Sequence, residues 1–465
     1  RATTRRGKAG GRAKAPARSA AKKPAKKTTT TRAAKPAARA AAKAPAKKAP
    51  AKKAPARSAS RAPAATAKRE LPKTNFLRDR DVCIVAYGET KIERRSGKTA
   101  YEFAADVAEQ IFTKTGLVPG DIDGLAFTVP QSEAPNPFYS NYAADYLGIT
   151  PRWVQKTDIG GASAIGNVAR ATMAIKAGLC ETVMLLHSDS VSTRNLSDFG
   201  CYRNEFWNPV GIQGPPGAFG FLMNRYEHQY GLDYRGLGAL AVAQRNGANV
   251  NKNAYEPFQK EAITIDTYLN SRMVSKPLRL LDSVMPADGG NGLLLTTVKN
   301  ARKHGWTKRV YPIAYREITN FLGAEMCPDI TETGFSVVGP EALKQAGMKP
   351  KDVKMFHPYD DFLIAVMLKL EQFGFCKRGQ GSQYLLNTDL SPTGTLPINT
   401  GGGQISCGQP GLAGGGLNLT EAVRQMFNEA EGRQVPKAEN AVVTGIGVIP
   451  YGRNWGTSNA MVLAR

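Results

Sequence analysis

The sequence contains few of the residues on which metal centres and disulfide scaffolds depend. Its 465 residues include six cysteines and four histidines, and no two cysteines form a C-x-x-C pair. Wide separation of the cysteines argues against a zinc site and against a disulfide-stabilised fold. We therefore predict that the protein binds no metal and works in a reducing compartment, the cytoplasm.

Long apolar runs and nucleotide-binding loops are also missing. No stretch approaches the ~20 apolar residues that a membrane-spanning helix needs, and the first residues lack the apolar core of a secretory signal. Two glycine runs, Gly401–Gly403 and Gly414–Gly416, are not followed by the Lys-Ser/Thr pair of a phosphate-binding loop. The sequence therefore predicts neither a membrane protein nor a nucleoside-triphosphate enzyme, and we expect no bound cofactor.

Acidic residues are absent from the first 69 positions, which hold 23 of the 63 lysines and arginines. The rest of the chain is nearly neutral, with 40 basic and 38 acidic residues. Residues 1–75 are rich in Lys, Ala and Pro, and such a composition buries too little apolar surface to fold. We predict a disordered basic tail. It either attracts nucleic acid non-specifically through its charge or is only a solubilising extension.

Beyond the tail, short apolar runs alternate with amphipathic stretches, a pattern typical of an α/β fold. The apolar runs have the length and composition of buried strands, and the amphipathic stretches repeat their apolar residues at helical spacing. The predicted strands are 82–87, 122–129, 181–187 and 441–444, and the predicted helices are 99–115, 166–177 and 420–429.

One helix–turn–strand pattern occurs twice in the chain. Gly116–Asp123 and Gly347–Lys354 share the order Gly, apolar, any, Pro, any, Asp, apolar, and lie 231 positions apart. Two similar halves indicate a duplicated fold with a site at their junction. The predicted halves are residues 76–300 and 301–465, and we expect a loop-rich cap over about residues 190–300.

The order and spacing of five segments resemble the thiolase family, in its sterol-carrier and lipid-transfer-protein branch. The resemblance covers essentially all of residues 80–465. It implies a duplicated, five-layered α-β-α-β-α fold. The segments are Gly214–Arg225, Arg272–Gly290, Tyr359–Phe362, Leu396–Gly414 and Ala441–Gly447.

Departures from the family pattern are informative about the reaction. Thiolases carry a nucleophilic cysteine at the start of a helix, where this sequence reads Ile159-Gly-Gly-Ala-Ser163. The family's Gly-His-Pro motif is here Gly408-Gln409-Pro410, and a His-Asp pair of the branch is Tyr359-Asp360. Thiolysis needs an activated thiolate and an acid/base partner. Because both are missing, the ordinary thiolase reaction is not expected.

The resemblance implies a different carbon–carbon cleavage. Aldolases of steroid side-chain breakdown in this branch also lack the cysteine, and they perform a retro-aldol reaction on a β-hydroxyacyl-CoA. These aldolases carry two tyrosines in place of the family's histidines; Tyr359 matches the first, and Gln409 does not match the second. We expect Tyr359 to handle the hydroxyl proton, Asp360 to orient its loop and Gln409 to position a water or the substrate carbonyl. Backbone N–H groups of Gly161 and Gly447 are expected to hold the thioester oxygen.

Two alternatives stay open at the sequence level. Cys407 lies two residues from Gln409 and could act as a displaced nucleophile in a β-ketoacyl-CoA thiolase or acyltransferase. The chain could also be a non-catalytic subunit that binds acyl-CoA or scaffolds a partner. An inert Cys407 would favour the retro-aldol interpretation over the first alternative.

The resemblance also implies partners. Thiolase-fold proteins are normally dimers, so we expect a homodimer. Members of the branch without the standard catalytic residues often pair with a small OB-fold protein that carries a zinc ribbon. We expect such an accessory protein here, together with a coenzyme A thioester as substrate.

Overall fold

The structure, a computed structural model, describes residues 75–196, 204–212, 214–321, 327–447 and 455–465. The predicted basic tail lies outside the described residues up to position 74. The strands are β1 Val82–Glu89, β2 Gly124–Thr128, β3 Trp153–Thr157, β4 Thr182–Ser190, β5 Met273–Ser275, β6 Leu278–Arg279, β7 Asp288–Thr297, β8 Tyr311–Thr319, β9 Phe356–His357, β10 Asn440–Ile446 and β11 Thr457–Ala464.

Helices connect most of these strands, and several short 3-10 turns lie between them. The helices are α1 Ala100–Thr115, α2 Tyr139–Tyr146, α3 Ser163–Lys176, α4 Asn204–Trp207, α5 Gly214–Tyr230, α6 Tyr234–Asn249, α7 Glu256–Lys260, α8 Ile265–Leu269, α9 Val298–Lys303, α10 Phe335–Ala346, α11 Leu363–Gln372, α12 Gly381–Asn387, α13 Gly403–Cys407 and α14 Gly415–Met426.

Two sheets form the centre of the fold, one with the order β1-β7-β4-β2-β3 and the other with the order β8-β11-β10-β9. Their central strands are buried along almost their whole length, as is typical of strands covered on both faces. Helices α3 and α14 pack between the sheets, while α1 covers the outer face of the first sheet, and α10 and α11 that of the second. The layers alternate α, β, α, β, α, which confirms the predicted fold class.

Duplication is visible in a pair of matching hydrogen bonds. Asn291 on β7 donates its side-chain amide to the carbonyl of Ala413, 3.0 Å away, just before α14. Asn459 on β11 donates to the carbonyl of Ala162, 2.9 Å away, just before α3. Each asparagine therefore fixes the turn that begins a central helix, and both turns lie at the junction of the two sheets.

The first predicted helix has clear ends. Thr99 caps α1, and its hydroxyl accepts from the N–H of Glu102, whose carboxylate accepts in return from the Thr99 N–H. Gly116 ends the helix in the left-handed conformation that glycine adopts readily. These signals were readable in the sequence, and the predicted bounds are confirmed to within one residue.

Helix α14 begins earlier than its predicted start at residue 420. Its first turn contains Gly415 and Gly416, and glycine has a low helix propensity, so the pattern alone missed this turn. The space around these residues explains the composition. A side chain on Gly415 would overlap the carbonyl of Gly161, and one on Gly416 would overlap the amide of Asn291. Close packing of α14 against the turn before α3 and against β7 therefore requires glycine here.

The predicted loop-rich cap also differs from the structure. Residues 190–300 contain α4 to α8 and the β5–β6 hairpin, but they end in β7, a central strand of the first sheet. This strand begins with the run Asp288-Gly-Gly-Asn-Gly292, whose composition is typical of a loop, so the sequence pattern did not indicate a strand here. Gly292 has no room for a side chain, because a Cβ would lie 2.5 Å from the carbonyl of Leu185 and 2.8 Å from Val107. Among the described residues, no helix combines the length and the apolar character needed to cross a membrane.

A buried ion network ties α14 to the first sheet and to the segment after the helix. The Glu421 carboxylate accepts from Arg433 at 2.9 and 3.0 Å and from Arg424 at 2.6 Å, and Arg424 also pairs with Glu89 on β1. All four side chains are buried. Although burial opposes ionisation, the two guanidinium groups hold the pKa of Glu421 well below its usual range.

We predict that Glu421→Gln lowers the free energy of unfolding by about 3–5 kcal/mol, because two buried guanidinium groups lose their shared partner. A carboxyl whose folded pKa is depressed stabilises the fold above its unfolded pKa, and that contribution is lost as the pH falls. The variant should therefore also lose less stability than the wild type on acidification. Urea denaturation at pH 7 and pH 3 measures both effects, because the contribution is lost only below the unfolded pKa of the carboxyl.

Glu256→Gln is the matched control, because Glu256 pairs with Lys260 and Lys91 at the exposed surface. It should change the free energy of unfolding by less than about 1 kcal/mol. Equal losses in the two variants would contradict the assigned role of the buried network.

Candidate active site

The segment Tyr359–Phe362 crosses from β9 to α11 at the junction of the two halves. The backbone N–H of Tyr359 donates to the Thr444 hydroxyl on β10, 3.0 Å away. Its carbonyl accepts from Nζ of Lys369 on α11, 2.7 Å away. These two bonds hold the tyrosine backbone from both sides, and its side chain is buried.

The ring of Tyr359 ends against Gly161, in the 3-10 turn Gly160–Ala162 that leads into α3. A Cβ on Gly161 would overlap the hydroxyl oxygen and two ring carbons of Tyr359. The phenol therefore fills the space that any side chain at position 161 would need. Glycine at this point is a packing requirement of the tyrosine.

Gln409 completes this contact. Its Nε2 lies 3.2 Å from the Tyr359 hydroxyl and donates to it, and also lies 3.0 Å from Oε1 of Gln404. The Gln409 N–H donates to the carbonyl of Met285, and its carbonyl accepts from the N–H of Ala287, each at 2.9 Å. These two hydrogen bonds fix the backbone from which the side chain extends. The structure thus brings three of the sequence-predicted site residues, Tyr359, Gln409 and Gly161, into one cluster.

Asp360 points away from this cluster and into the start of α13. Its carboxylate accepts from the Gln404 N–H at 3.0 Å, from the Asn418 amide at 2.9 Å and from the Gln244 amide. Burial raises the pKa of Asp360 to about 6, although these hydrogen bonds favour the charged form. Because Gln404 in turn contacts Gln409, Asp360 links the tyrosine segment to the glutamine loop.

Comparison with known proteins identifies the family. A thiolase C-terminal domain-like family model matches residues 319–457. The 17-hydroxy-3-oxo-4-pregnene-20-carboxyl-CoA lyase of Mycobacterium tuberculosis is 30% identical over 394 residues, which cover 78% of this chain and 96% of that protein. A steroid side-chain-cleaving aldolase of Thermomonospora curvata is 28% identical over 394 residues, with 78% and 95% covered.

This chain belongs to the thiolase superfamily. Its steroid-lyase relatives place it in the sterol-carrier and lipid-transfer-protein branch, as the sequence predicted. The solved Ltp2-ChsH2(DUF35) aldolase superposes with a TM-score of 0.68 at 25% identity, over 84% of this chain and 99% of that one. A monomeric SCP2-thiolase-like protein of Mycobacterium smegmatis shares the fold, with a TM-score of 0.62 at 22% identity, over 83% and 77% of the two chains.

The two backbone donors expected from the thiolase pattern differ in their surroundings. Gly161 is the second residue of its 3-10 turn. The N–H of Ser163 makes the bond that closes this turn, so the Gly161 N–H has no acceptor within the turn. Gly447 donates its N–H to the carbonyl of Thr457, 2.6 Å away. Gly161 is therefore the better placed of the two for a thioester oxygen, and the role of Gly447 stays a prediction that requires this bond to open.

Cys407 lies at the end of α13, in surroundings that suppress its reactivity. Its thiol donates to the carbonyl of Gly401, 3.0 Å away, and lies 3.6 Å from the Asn251 amide. It packs in a small cluster with Ile92 and Leu417. Burial raises the pKa of this thiol far above its usual range, so little thiolate forms near neutrality.

Sequence reasoning missed a buried lysine beside the tyrosine. Lys369 is fully buried in the apolar helix α11, where its Nζ donates to the carbonyls of Tyr359 and Ala365, at 2.7 and 3.3 Å. Burial lowers the pKa of Lys369 and raises that of Asp361, while each charge favours the charged form of the other. The sequence did offer a signal for this site: the lysine lies within a helix of ten residues that are otherwise mostly apolar.

Apolar rings border the same segment. Phe362 stacks on Phe219 of α5, with ring centroids 3.9 Å apart, and Trp455 lies 6.2 Å from Phe219. Trp455 and Phe335 also flank the Lys369 ammonium at 5.4 and 5.0 Å.

Among the described residues, no group of three His, Cys, Asp or Glu side chains could hold a metal ion.

We predict that Gly161→Ala destabilises the protein by about 1–3 kcal/mol, because the new methyl group forces the Tyr359 ring from its place. In a Tyr359→Ala background the same change should cost little, since the ring is gone. Thermal unfolding of the four proteins in this double-mutant cycle gives the coupling energy. Additive effects would contradict direct packing of Tyr359 on Gly161.

Proposed function

We propose that this chain cleaves the Cα–Cβ bond of a β-hydroxyacyl-CoA by a retro-aldol reaction. The observation that carries the proposal is the contact between Tyr359 and Gly161: a proton-carrying phenol fills the space beside the helix start where a thiolase holds its thiol. Relatives named as steroid side-chain lyases and aldolases match nearly their whole length. Coenzyme A is part of the substrate, and no bound cofactor is required.

The reaction needs an enolate site and a proton donor. The Gly161 N–H and the positive end of α3 stabilise charge on the thioester oxygen as the bond breaks. Burial, with the Asp361 and Asp360 carboxylates nearby, raises the pKa of Tyr359 well above 10, so its hydroxyl stays protonated. This differs from the role expected from sequence. Tyr359 serves as the acid that protonates the enolate carbon, and the Gln409 amide stabilises the Tyr359 oxygen.

We propose that the acyl group is a bulky, largely apolar one, because relatives are named as a steroid acyl-CoA lyase and a steroid side-chain-cleaving aldolase. The aromatic rings of Phe219, Phe362 and Trp455 beside the tyrosine segment belong to the buried core. An accessory protein forms part of the proposal, because one related structure is the Ltp2-ChsH2(DUF35) aldolase. We expect a small OB-fold protein with a zinc ribbon in that role.

A homodimer is proposed through β3 and α2. Strand β3 lies at the edge of its sheet, with one side unpaired among the described residues. Close to it, α2 and the residue before it expose aromatic side chains. Phe138, Tyr142 and Tyr146 are 56–61% exposed, and Val154 on β3 is 41% exposed. Such a patch on one face is typical of an interface between copies.

The cytoplasm is the proposed location. Cys83, Cys180, Cys376 and Cys407 are free thiols, as is typical of proteins in a reducing compartment.

Tyr359→Phe should lower kcat for β-hydroxyacyl-CoA cleavage by about 100-fold or more, with KM nearly unchanged, because only the acid is removed. Cys407→Ala is the matched control and should retain kcat within about threefold. The assay is release of ketone and shorter acyl-CoA by the chain with its accessory protein. Loss of β-ketoacyl-CoA thiolysis in Cys407→Ala would instead establish the thiolase alternative, and an unaffected Tyr359→Phe would favour a non-catalytic subunit.

Tyr142→Glu should convert the dimer to a monomer, because it places a charge in the proposed interface. Val118→Glu is the control, since Val118 is 59% exposed and lies outside α2 and β3. Sedimentation velocity at micromolar concentration separates the species. A monomeric wild-type chain would contradict the proposed dimer, and the related monomeric protein shows that the fold allows that result.

A further inference from the structure

We infer that Gln404 is a positioning residue that keeps the hydroxyl proton of Tyr359 directed at the substrate. It acts through Gln409, whose side-chain amide it holds in one orientation. The inference rests on the proposed function, in which Tyr359 is the acid, and it adds the group that sets the direction of the donated proton. Gln404 is not among the site residues expected from the sequence.

Gln404 is fully buried, and its backbone is fixed. It is the second residue of α13, and its N–H donates to both carboxylate oxygens of Asp360 at 3.0 Å. The side-chain amides of Asn418 and Gln244 donate to the same carboxylate. Donors to a carboxylate favour its ionised form, and an ionised carboxylate accepts hydrogen bonds but donates none.

The Asp360 carboxylate therefore determines which end of the Gln404 amide faces the site. Nε2 of Gln404 lies 3.4 Å from Oδ1 of Asp360, and Oε1 of Gln404 accepts from Nε2 of Gln409, 3.0 Å away. The opposite orientation would place the Gln404 oxygen against a carboxylate and its nitrogen against another amide nitrogen. Gln404 thus presents an acceptor to Gln409.

The amide of Gln409 is held in its turn. Its Nε2 carries two hydrogens. One is donated to Oε1 of Gln404, and the other to the hydroxyl oxygen of Tyr359, 3.2 Å away. A rotated Gln409 amide would bring two carbonyl oxygens together at Gln404, and it would offer an oxygen to the Tyr359 proton. Gln404 opposes that rotation, so Gln409 donates to the phenol and does not accept from it.

A phenol that accepts from Gln409 keeps its own proton free. The Tyr359 hydroxyl donates to no acceptor among the described residues. In the proposed reaction its O–H bond breaks, and a C–H bond forms at Cα with the electron pair of the enolate. The phenolate that remains accepts from the Gln409 amide. The proton that the β-hydroxyl group loses balances the one that Cα gains, so no further reactant is needed.

Gly414, in the turn before α14, leaves room for this arrangement. A Cβ at this position would lie 2.3 Å from Oε1 of Gln404 and 2.8 Å from Cγ of Gln409. The backbone at Gly414 is helical, with φ −52° and ψ −33°, so alanine can adopt its conformation. Gly414→Ala should therefore displace the two amides without straining the backbone.

Gln404→Met tests the role, because it keeps the length of the side chain and removes the acceptor. We expect kcat for β-hydroxyacyl-CoA cleavage to fall by about 10- to 100-fold with KM within about threefold, since the Tyr359 proton can then bond to a rotated Gln409 amide. Gly414→Ala should cause a fall of similar size. Rates are measured with the accessory protein, at a temperature at which thermal unfolding shows every variant to be folded.

A double-mutant cycle with Gln409→Met separates positioning from structural damage. If Gln404 acts through Gln409, adding Gln404→Met to the Gln409→Met chain should change kcat by less than about threefold. Gln372→Met is the matched control, because Gln372 is also buried but its amide bonds to Thr331 and Thr333. It should keep kcat within about threefold. Independent losses that multiply in the cycle, or an equal loss in the control, would overturn the role.

The parent activity is tested in the same assay. If the wild type with its accessory protein cleaves no β-hydroxyacyl-CoA, the proposed function fails, and this inference fails with it. If the wild type is active and Tyr359→Phe is as fast, Tyr359 is not the acid that Gln404 would position. If the wild type is active, Tyr359→Phe is impaired and Gln404→Met retains its kcat, the proposed function stands and the role of Gln404 is wrong.

Discussion

The contact between the Tyr359 hydroxyl and Gly161 is the constraint on which the rest of the site depends. It leaves no space for a side chain at the start of α3, so a nucleophile cannot occupy that position while the tyrosine stays in place. The same crowding extends to Gly415, whose missing side chain makes room for the carbonyl of Gly161, and to Gly445, which lies against Ala162. The backbones of the two halves are therefore in direct contact where the halves join.

Polar networks hold this junction together. Asp360 collects donors from α6, α13 and α14, and Glu421 joins α14 to β1 through Arg424. A buried carboxylate costs free energy unless donors surround it, and here the donors come from segments far apart in sequence. These networks couple the position of Gln409 to the packing of the central helices. The proposed site and the stability of the fold consequently depend on some of the same residues.

The sequence predicted the fold class and, through the family likeness, the cluster of Tyr359, Gln409 and Gly161. It did not predict β7 or the first turn of α14, because glycines required by close packing look like loop residues in a pattern of apolar spacing. It also did not predict that Lys369 lies buried against the tyrosine segment. The position of this lysine depends on burial and on hydrogen bonds to the backbone, which spacing does not encode. Cys407 was a candidate by proximity in sequence, yet its thiol bonds to Gly401.

The central claim is that the carbon–carbon bond breaks without a covalent acyl-enzyme. Intact-protein mass spectrometry of the full chain and its accessory protein, quenched during turnover of a β-hydroxyacyl-CoA, tests it most directly. The account predicts that the protein mass stays unchanged while the shorter acyl-CoA and the carbonyl product accumulate. An acyl adduct that forms and decays at the rate of turnover, and that maps to Cys407, would contradict it.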